Sequence, residues 1–238
     1  MNKIDVQIYG MHVRDDMIAN IVDKLELSYD NVHYDDRPNG GPMLYTCKKA
    51  WLAPIPNDVT HRVALADDVE VCDGFWDICE QIANTHPDSI ISLFPADFIR
   101  KTFEIENMDT PYIEAKKLAG CAIIMPVKYI KPCFEYIKTV LNDECDDEIG
   151  ISSFAINNGV RIITTIPATV QHISNYSLMQ QCPFECRTVY YEQNPVANWG
   201  NKKVIKYSFK EWFFSNHGKQ RATDGTVVKI NNEFMEVV

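Results

Sequence analysis

The sequence predicts an α/β fold, with a mixed but mostly parallel central sheet flanked by helices. Three observations predict it. Strand-length apolar runs alternate with helix-length amphipathic segments through the first half of the chain. Several of the runs, such as Gly120 to Met125, are apolar throughout, as strands covered on both faces are. The 238 residues, 46% of them hydrophobic, suffice for one large domain, or one domain with an extension, that buries about three quarters of its unfolded surface.

The elements follow in order. Ile4, Val6 and Ile8 alternate with Asp5 and Gln7, which predicts a strand ending at Tyr9-Gly10. Asp15 or Asp16 caps a helix whose Met17, Ile18, Ile21, Val22 and Leu25 share one face. Asn31 to Tyr34 is a short strand, and the turn-rich DDRPNGGP places Pro42 at the start of a helix through Leu44 to Trp51. Arg62 to Leu65 is a third strand and Gly74 to Asn84 a helix with Phe75, Ile78, Cys79 and Ile82 inward. Ile90 to Phe94 is a fourth strand. This βαβαβαβ order is what argues for parallel pairing.

The second half is mixed. Gly120 to Met125 is a strand, and Pro132 to Leu141 a helix with Phe134, Ile137, Val140 and Leu141 on one side. A further helix spans Asp146 to Asn157, ended by Gly159, and a strand runs from Arg161 to Ile166. The chain then reads as irregular as far as Tyr207.

Composition narrows the function classes. The aromatic fraction of 11% excludes a disordered or fibrous chain. No stretch approaches ~18 uninterrupted apolar residues and MNKIDVQIYG lacks a signal-peptide pattern, so no membrane partner and a cytoplasmic location are expected. The eight cysteines show no CxxC pair or metal-ligand spacing and read as reduced core thiols. The net charge is −10, yet Trp199 to Val238 carries seven basic against four acidic residues, leaving −13 on the remainder. An acidic body argues against nonspecific polyanion binding.

The sharpest chemical feature is Val63-Ala64-Leu65-Ala66-Asp67-Asp68-Val69. In an open α/β sheet, ligands bind beyond the carboxyl ends of the strands, where Asp67 and Asp68 should lie. Adjacent carboxylates repel, and a divalent cation bridging them to a phosphate relieves that repulsion. The plain alternative is a turn-starting residue beside a solvated one. Asp146-Asp147-Glu148 opens a helix, where acidic residues also favour the macrodipole without any catalytic role. His172 follows a strand and emerges at one rim of the sheet, although a lone histidine is ordinarily structural or exposed.

Taken in order, these pieces resemble the GT-A glycosyltransferases. That family has a nucleotide-binding N-terminal half, a strand ending in an Asp-x-Asp or related motif, a second acidic motif at a helix start, and a late histidine. Here LADDVEVCDGF departs from the plain motif by having Ala66 first, so that Asp67 and Asp68 share the role. The run DDEIGISSFAINNGVRIITTIPATVQHISNYSL is similar to the acceptor half. The resemblance implies a GT-A-like, Rossmann-like domain over 1–180, with a nucleotide-sugar-binding half (1–95) and an acceptor half (96–180). Residues 181–238 are expected to form a C-terminal extension packing on the same domain. The compact acceptor region is similar to viral or bacteriophage glycosyltransferases, which would place the protein in a host cytoplasm.

The chemistry implied is metal-dependent transfer, by inversion, from a nucleotide-diphospho-sugar, a UDP-sugar foremost, to an acceptor hydroxyl. Mn²⁺ or Mg²⁺ held by Asp68, with Asp67 and His172, would neutralise the leaving diphosphate. Family analogy puts the general base at Asp147, with Asp146 or Glu148 as substitutes. The nucleotide is expected over the first strand ends, against Tyr9, Gly10 and His12, with Asp35 or Asp36 accepting from base or ribose. Gly41, beside Gly40, would permit close backbone approach. Lys48 and Lys49 read as nucleotide contacts or as solvated helix charges. In the basic, aromatic tail 199–221, Lys202, Lys203, Lys206 and Lys210 interleave with aromatics. That tail either packs on the body or contacts DNA, so the acceptor is a glycan or a hydroxymethylated base. Two other classes fit parts of the pattern. A Mg²⁺-dependent nucleotidyl- or phosphotransferase also uses strand-end aspartates, and a non-enzymatic α/β binding protein needs none of this chemistry.

Overall fold

The computed structural model describes residues 2–37, 43–95, 110–115, 117–143, 145–177, 182–183, 188, 191–206, 228–231 and 234–237. The chain divides into two compact units, Met1–Ile205 and Lys206–Val238. Gly40, Gly41, Lys210 and most of the tail 199–221 lie outside the described residues.

The first unit is built on β1 (Ile4–Gly10), β2 (Val32–Tyr34), β3 (His61–Ala66), β4 (Val69–Val71) and β5 (Ile90–Ser92). The chain continues through β6 (Tyr112–Ala115), β7 (Ala122–Pro126), β8 (Ile162–Thr165), β9 (Val170–His172), β10 (Tyr176–Ser177), β11 (Cys182–Pro183) and β12 (Ile205–Lys206). Its described α-helices are α1 (Asp15–Leu25), α2 (Met43–Leu52), α3 (Phe75–Thr85), α4 (Val127–Val140) and α5 (Asp147–Asn157). The main sheet has the order β12-β6-β8-β5-β7-β3-β1-β2. In it β1, β2, β3, β5 and β8 point one way, while β6 and β7 run against their neighbours. The architecture is thus α/β with a mixed central sheet flanked by helices, compatible with a Rossmann-like fold. In the second unit, β13 (Val228–Asn231) and β14 (Phe234–Val237) form an antiparallel pair.

Periodicity explains the helices. In α1, Ile18, Ile21, Val22 and Leu25 are buried on one stripe, and in α3 Phe75, Ile78, Cys79 and Ile82 form another. These two helices meet where Trp76 Nε1 donates to the Leu25 carbonyl at 3.2 Å. On the other side α2, α4 and α5 pack together, with Trp51 of α2 against Phe134 of α4. Every residue of β3 is buried, as a strand covered on both faces requires.

Two expectations are corrected, the first and the third, and one left open is filled in. First, α4 begins at Val127, not Pro132. Its buried stripe is Ile130, Cys133, Phe134 and Ile137, so the packing period starts a turn before the proline, which the helix carries in its interior. Val140, expected on the buried side, is 56% exposed. Second, β7, whose direction the sequence leaves open within a mixed sheet, is antiparallel to both neighbours, His61 lying opposite Pro126 on one side and Ile91 opposite Ile124 on the other. Third, the segment after β8 is not wholly irregular: β9 pairs with β4, and Trp199 is buried, its carbonyl accepting from Tyr112 Oη at 2.5 Å and Thr85 Oγ1 at 2.7 Å. Cys47, Cys72, Cys79 and Cys133 are buried thiols outside any disulfide. Among the described residues, no helix is long and apolar enough to cross a membrane.

Candidate functional site

The parallel strands β1, β2 and β3 end at one rim of the sheet. Tyr9 lies opposite Ala66 and Gly10 opposite Tyr34, and Asp35 N donates to the Gly10 carbonyl at 2.8 Å. The segments leaving these strands hold most of the residues singled out from the sequence. A Cβ on Gly10 would stand 2.6 Å from Asp67 Cγ, so β1 ends in glycine because the Asp67 side chain fills that space.

Asp67 and Asp68 form the turn between β3 and β4. Antiparallel pairing of β4 with β9 sets Val69 opposite His172, and Ile173 N donates to the Asp68 carbonyl at 2.9 Å. That register brings His172 Nε2 to 3.1 Å from Asp68 Oδ2. Asp67 turns away from the histidine: its Oδ2 accepts from Met11 N at 2.8 Å and its Oδ1 from Arg14 Nη1 at 2.7 Å. The same Arg14 nitrogen lies 2.6 Å from Asp68 Oδ2. A guanidinium therefore bridges the two carboxylates, and both are buried, Asp67 at 4% and Asp68 at 6% exposure. Burial and the charge of Asp68 raise the Asp67 carboxyl above its ordinary range, against the pull of Arg14. Burial acts on Asp68 in the same sense. There the hydrogen bond and charge of His172, with the charge of Arg14, outweigh it and the net direction is down.

Two donors on one edge suit a divalent cation. Octahedral bonds of about 2.1 Å place adjacent ligands about 3 Å apart, the separation of Asp68 Oδ2 and His172 Nε2. Among the described residues, no group of three or more His, Cys, Asp or Glu forms a ready ligand set. Any further ligands would then come from water or phosphate, as is usual for Mg²⁺.

Asp147 opens α5 and is 2% exposed. Tyr9 Oη donates to its Oδ2 over a long 3.5 Å, and it is further hydrogen-bonded to Cys47 and to the Glu148 N–H. Burial first, then the charge of Glu148, raises this carboxyl to about 6. Burial and the charge of Asp147 push the Tyr9 phenol well up, and Asp68 adds to that through space. Tyr9 thus stays protonated, in contact with the buried Asp147 carboxyl. Asp146, the N-cap, is exposed and makes no side-chain cap bond. Glu148 points elsewhere, accepting from Gly120 N at 2.7 Å.

The remaining predicted residues line the rim differently. His12 is exposed and stacks on Tyr34 with ring centroids 3.8 Å apart. Asp35 is held by Arg37 at 2.6 Å, and the Arg37 hydrogen bonds bring its carboxyl down to about 2. Asp36 pairs with Lys49 at 3.1 Å, and Lys48 with Asp143 at 2.9 Å, so both lysines have carboxylate partners on the protein.

Arg14, Cys47 and the contact between Tyr9 and Asp147 carry no sequence signal. Each depends on a partner that lies far along the chain. The nearest clue is Arg14 as the one arginine between β1 and the first turn of α1. No protein-family model matches the chain, and no curated protein matches it at a significant level.

Proposed function

We propose that the protein is a glycosyltransferase with a GT-A-like domain, moving a sugar from a nucleotide-diphospho-sugar to an acceptor hydroxyl by inversion, with a divalent cation as cofactor. The observation that carries this reading is the approach of His172 to Asp68 at the carboxyl end of β3. Those are two of the three positions that the resemblance assigns to the metal; the third, Asp67, turns instead to Met11 and Arg14. Asp147, the second acidic position of the pattern, joins the same rim through Tyr9. Asp68 and His172 would hold Mn²⁺ or Mg²⁺, which when bound supplies positive charge to a leaving diphosphate.

The chain's own groups supply the rest. Asp147 has the character of a general base: at about 6 it is roughly nine tenths ionised at pH 7 yet still accepts a proton. Because it is buried, the proton path runs through Tyr9. The acceptor hydroxyl gives its proton to Tyr9 Oη as Tyr9 gives its own to Asp147. The acceptor oxygen bonds to the anomeric carbon on the face opposite the diphosphate. The bond from that carbon to the diphosphate oxygen breaks, and its electron pair leaves with the phosphate. Arg14, half-buried at the same rim, adds fixed positive charge near the leaving group.

Calorimetry with UDP and GDP, each with and without Mn²⁺, tests the reading. Binding of a nucleoside diphosphate that requires the metal is the expected result. Preference for a triphosphate would move the protein to the nucleotidyl- or phosphotransferases, and no nucleotide binding at all would make it a binding protein.

A further inference from the structure

Resting on that reading, we propose that Arg14 and a divalent metal are alternative partners of Asp68. On this account Arg14 is the resident cation that keeps the acidic pair assembled until metal and nucleotide arrive. Arg14 Nη1 stands 2.6 Å from Asp68 Oδ2, the same oxygen that faces His172 Nε2 at 3.1 Å. A cation bonded to that oxygen and to His172 would stand within repulsive range of the guanidinium, and the electron density it draws from the oxygen weakens that oxygen as an acceptor for Nη1. Occupation by the metal therefore drives Nη1 away from Asp68.

The geometry allows that departure without freeing the whole side chain. Nη1 also bonds Asp67 Oδ1 at 2.7 Å, while Nη2 donates to Ser174 Oγ at 3.1 Å and to the Tyr176 carbonyl at 2.8 Å. Three of the four polar contacts of the two terminal nitrogens thus lie away from Asp68. Keeping them leaves one Nη1 N–H released from Asp68. That N–H, on a fixed positive charge, suits an oxygen of a diphosphate. Two adjacent buried carboxylates with no counter-ion repel each other at close range, which gives Arg14 its purpose in the metal-free protein. The loop after β1 and the segment after β9 are also tied together by this one side chain.

The test reads metal and nucleotide binding separately in the full chain. Mn²⁺ alone is titrated into wild type and Arg14→Met, with free Mn²⁺ followed by electron paramagnetic resonance. UDP is then titrated calorimetrically at saturating Mn²⁺. Arg14→Met is expected to bind Mn²⁺ at least tenfold more tightly than wild type and UDP more weakly, because the competitor for Asp68 and the phosphate donor are the same group. A residue that merely holds the loops would weaken both. Mn²⁺ affinity unchanged or lowered in Arg14→Met, with wild type still binding Mn²⁺ and UDP, overturns the competition and leaves the glycosyltransferase reading standing. If Mn²⁺ binds neither protein at millimolar concentration, both fall. If Arg14→Met fails to fold by circular dichroism, Arg14→Lys decides: it keeps the charge but loses the fork, and a gain in Mn²⁺ affinity of a few-fold is expected. An unchanged or lower affinity there overturns the proposal.

Discussion

Asp147→Asn separates a base from a helix cap, because the two roles move stability in opposite directions. An aspartate in the unfolded chain titrates near 3.8, whereas Asp147 is held at about 6 by burial and by Glu148. Between those values the folded state binds more protons than the unfolded state, so stability falls as pH rises from about 4 to about 6 and stays lost above. About two units at 1.36 kcal/mol each amount to a cost of about 3 kcal/mol at neutral pH. Asparagine removes the charge while keeping an acceptor for the Glu148 N–H, Cys47 and Tyr9. Urea denaturation of both proteins at pH 4, 5.5 and 7.5 isolates the effect, since other titrations cancel in the difference. The variant should be more stable than wild type at pH 7.5, by up to about 3 kcal/mol, with the gain vanishing below pH 4. Transfer should meanwhile fall by about 10²–10⁴-fold, and wild-type kcat/KM should rise with pH through about 6. A variant that is less stable at pH 7.5, or a difference independent of pH, would falsify the buried-base assignment and leave Asp147 a helix-start residue.

Two further substitutions probe the frame around the rim. Gly10→Ala forces a methyl group into the Asp67 side chain and should destabilise the fold by about 1–3 kcal/mol or more, while weakening any Mn²⁺-dependent nucleotide binding; an unchanged urea midpoint would mean that Asp67 readily vacates that space. Arg62 is wholly buried, pairing with Asp5 at 2.6 Å and donating to the carbonyls of Ala50, Trp51, Ala53 and Pro54 at the end of α2. Arg62→Met, which strands Asp5 and those carbonyls, should cost about 3–5 kcal/mol by chemical denaturation, and a loss under 1 kcal/mol would show that water replaces the guanidinium.

The parts of the fold legible in the sequence are those that local periodicity determines. The stripe Ile18, Ile21, Val22, Leu25 and the alternation Ile4, Val6, Ile8 each lie within one element, and α1 and β1 stand where those patterns put them. What a local pattern does not carry is direction and depth. The run Ala122 to Met125 looks the same whether β7 lies parallel or antiparallel, because orientation depends on which gap in the sheet the returning chain fills. Residues 112–115 are too few for alternation to register, and their pairing with β8 is a long-range event. Pro132 misleads because a proline inside a helix and one at its first turn look alike in sequence.

The same distinction runs through the site. Strand-end aspartates, an acidic helix start and a histidine after a strand are local features, so Asp67, Asp68, Asp147 and His172 stand out from the sequence. Their chemistry, however, is set by partners from other segments. Read alone, Asp68 is a strand-end carboxylate that contributes a ligand but no packing. The structure buries it between Arg14 and His172, so its removal also takes one partner from a half-buried guanidinium. Read alone, Asp147 is a macrodipole residue; in the fold its burial raises its carboxyl to about 6, the character the proposed base needs. In both cases charge pattern identifies the residue, and only the environment built by distant segments fixes its protonation and what it can bind.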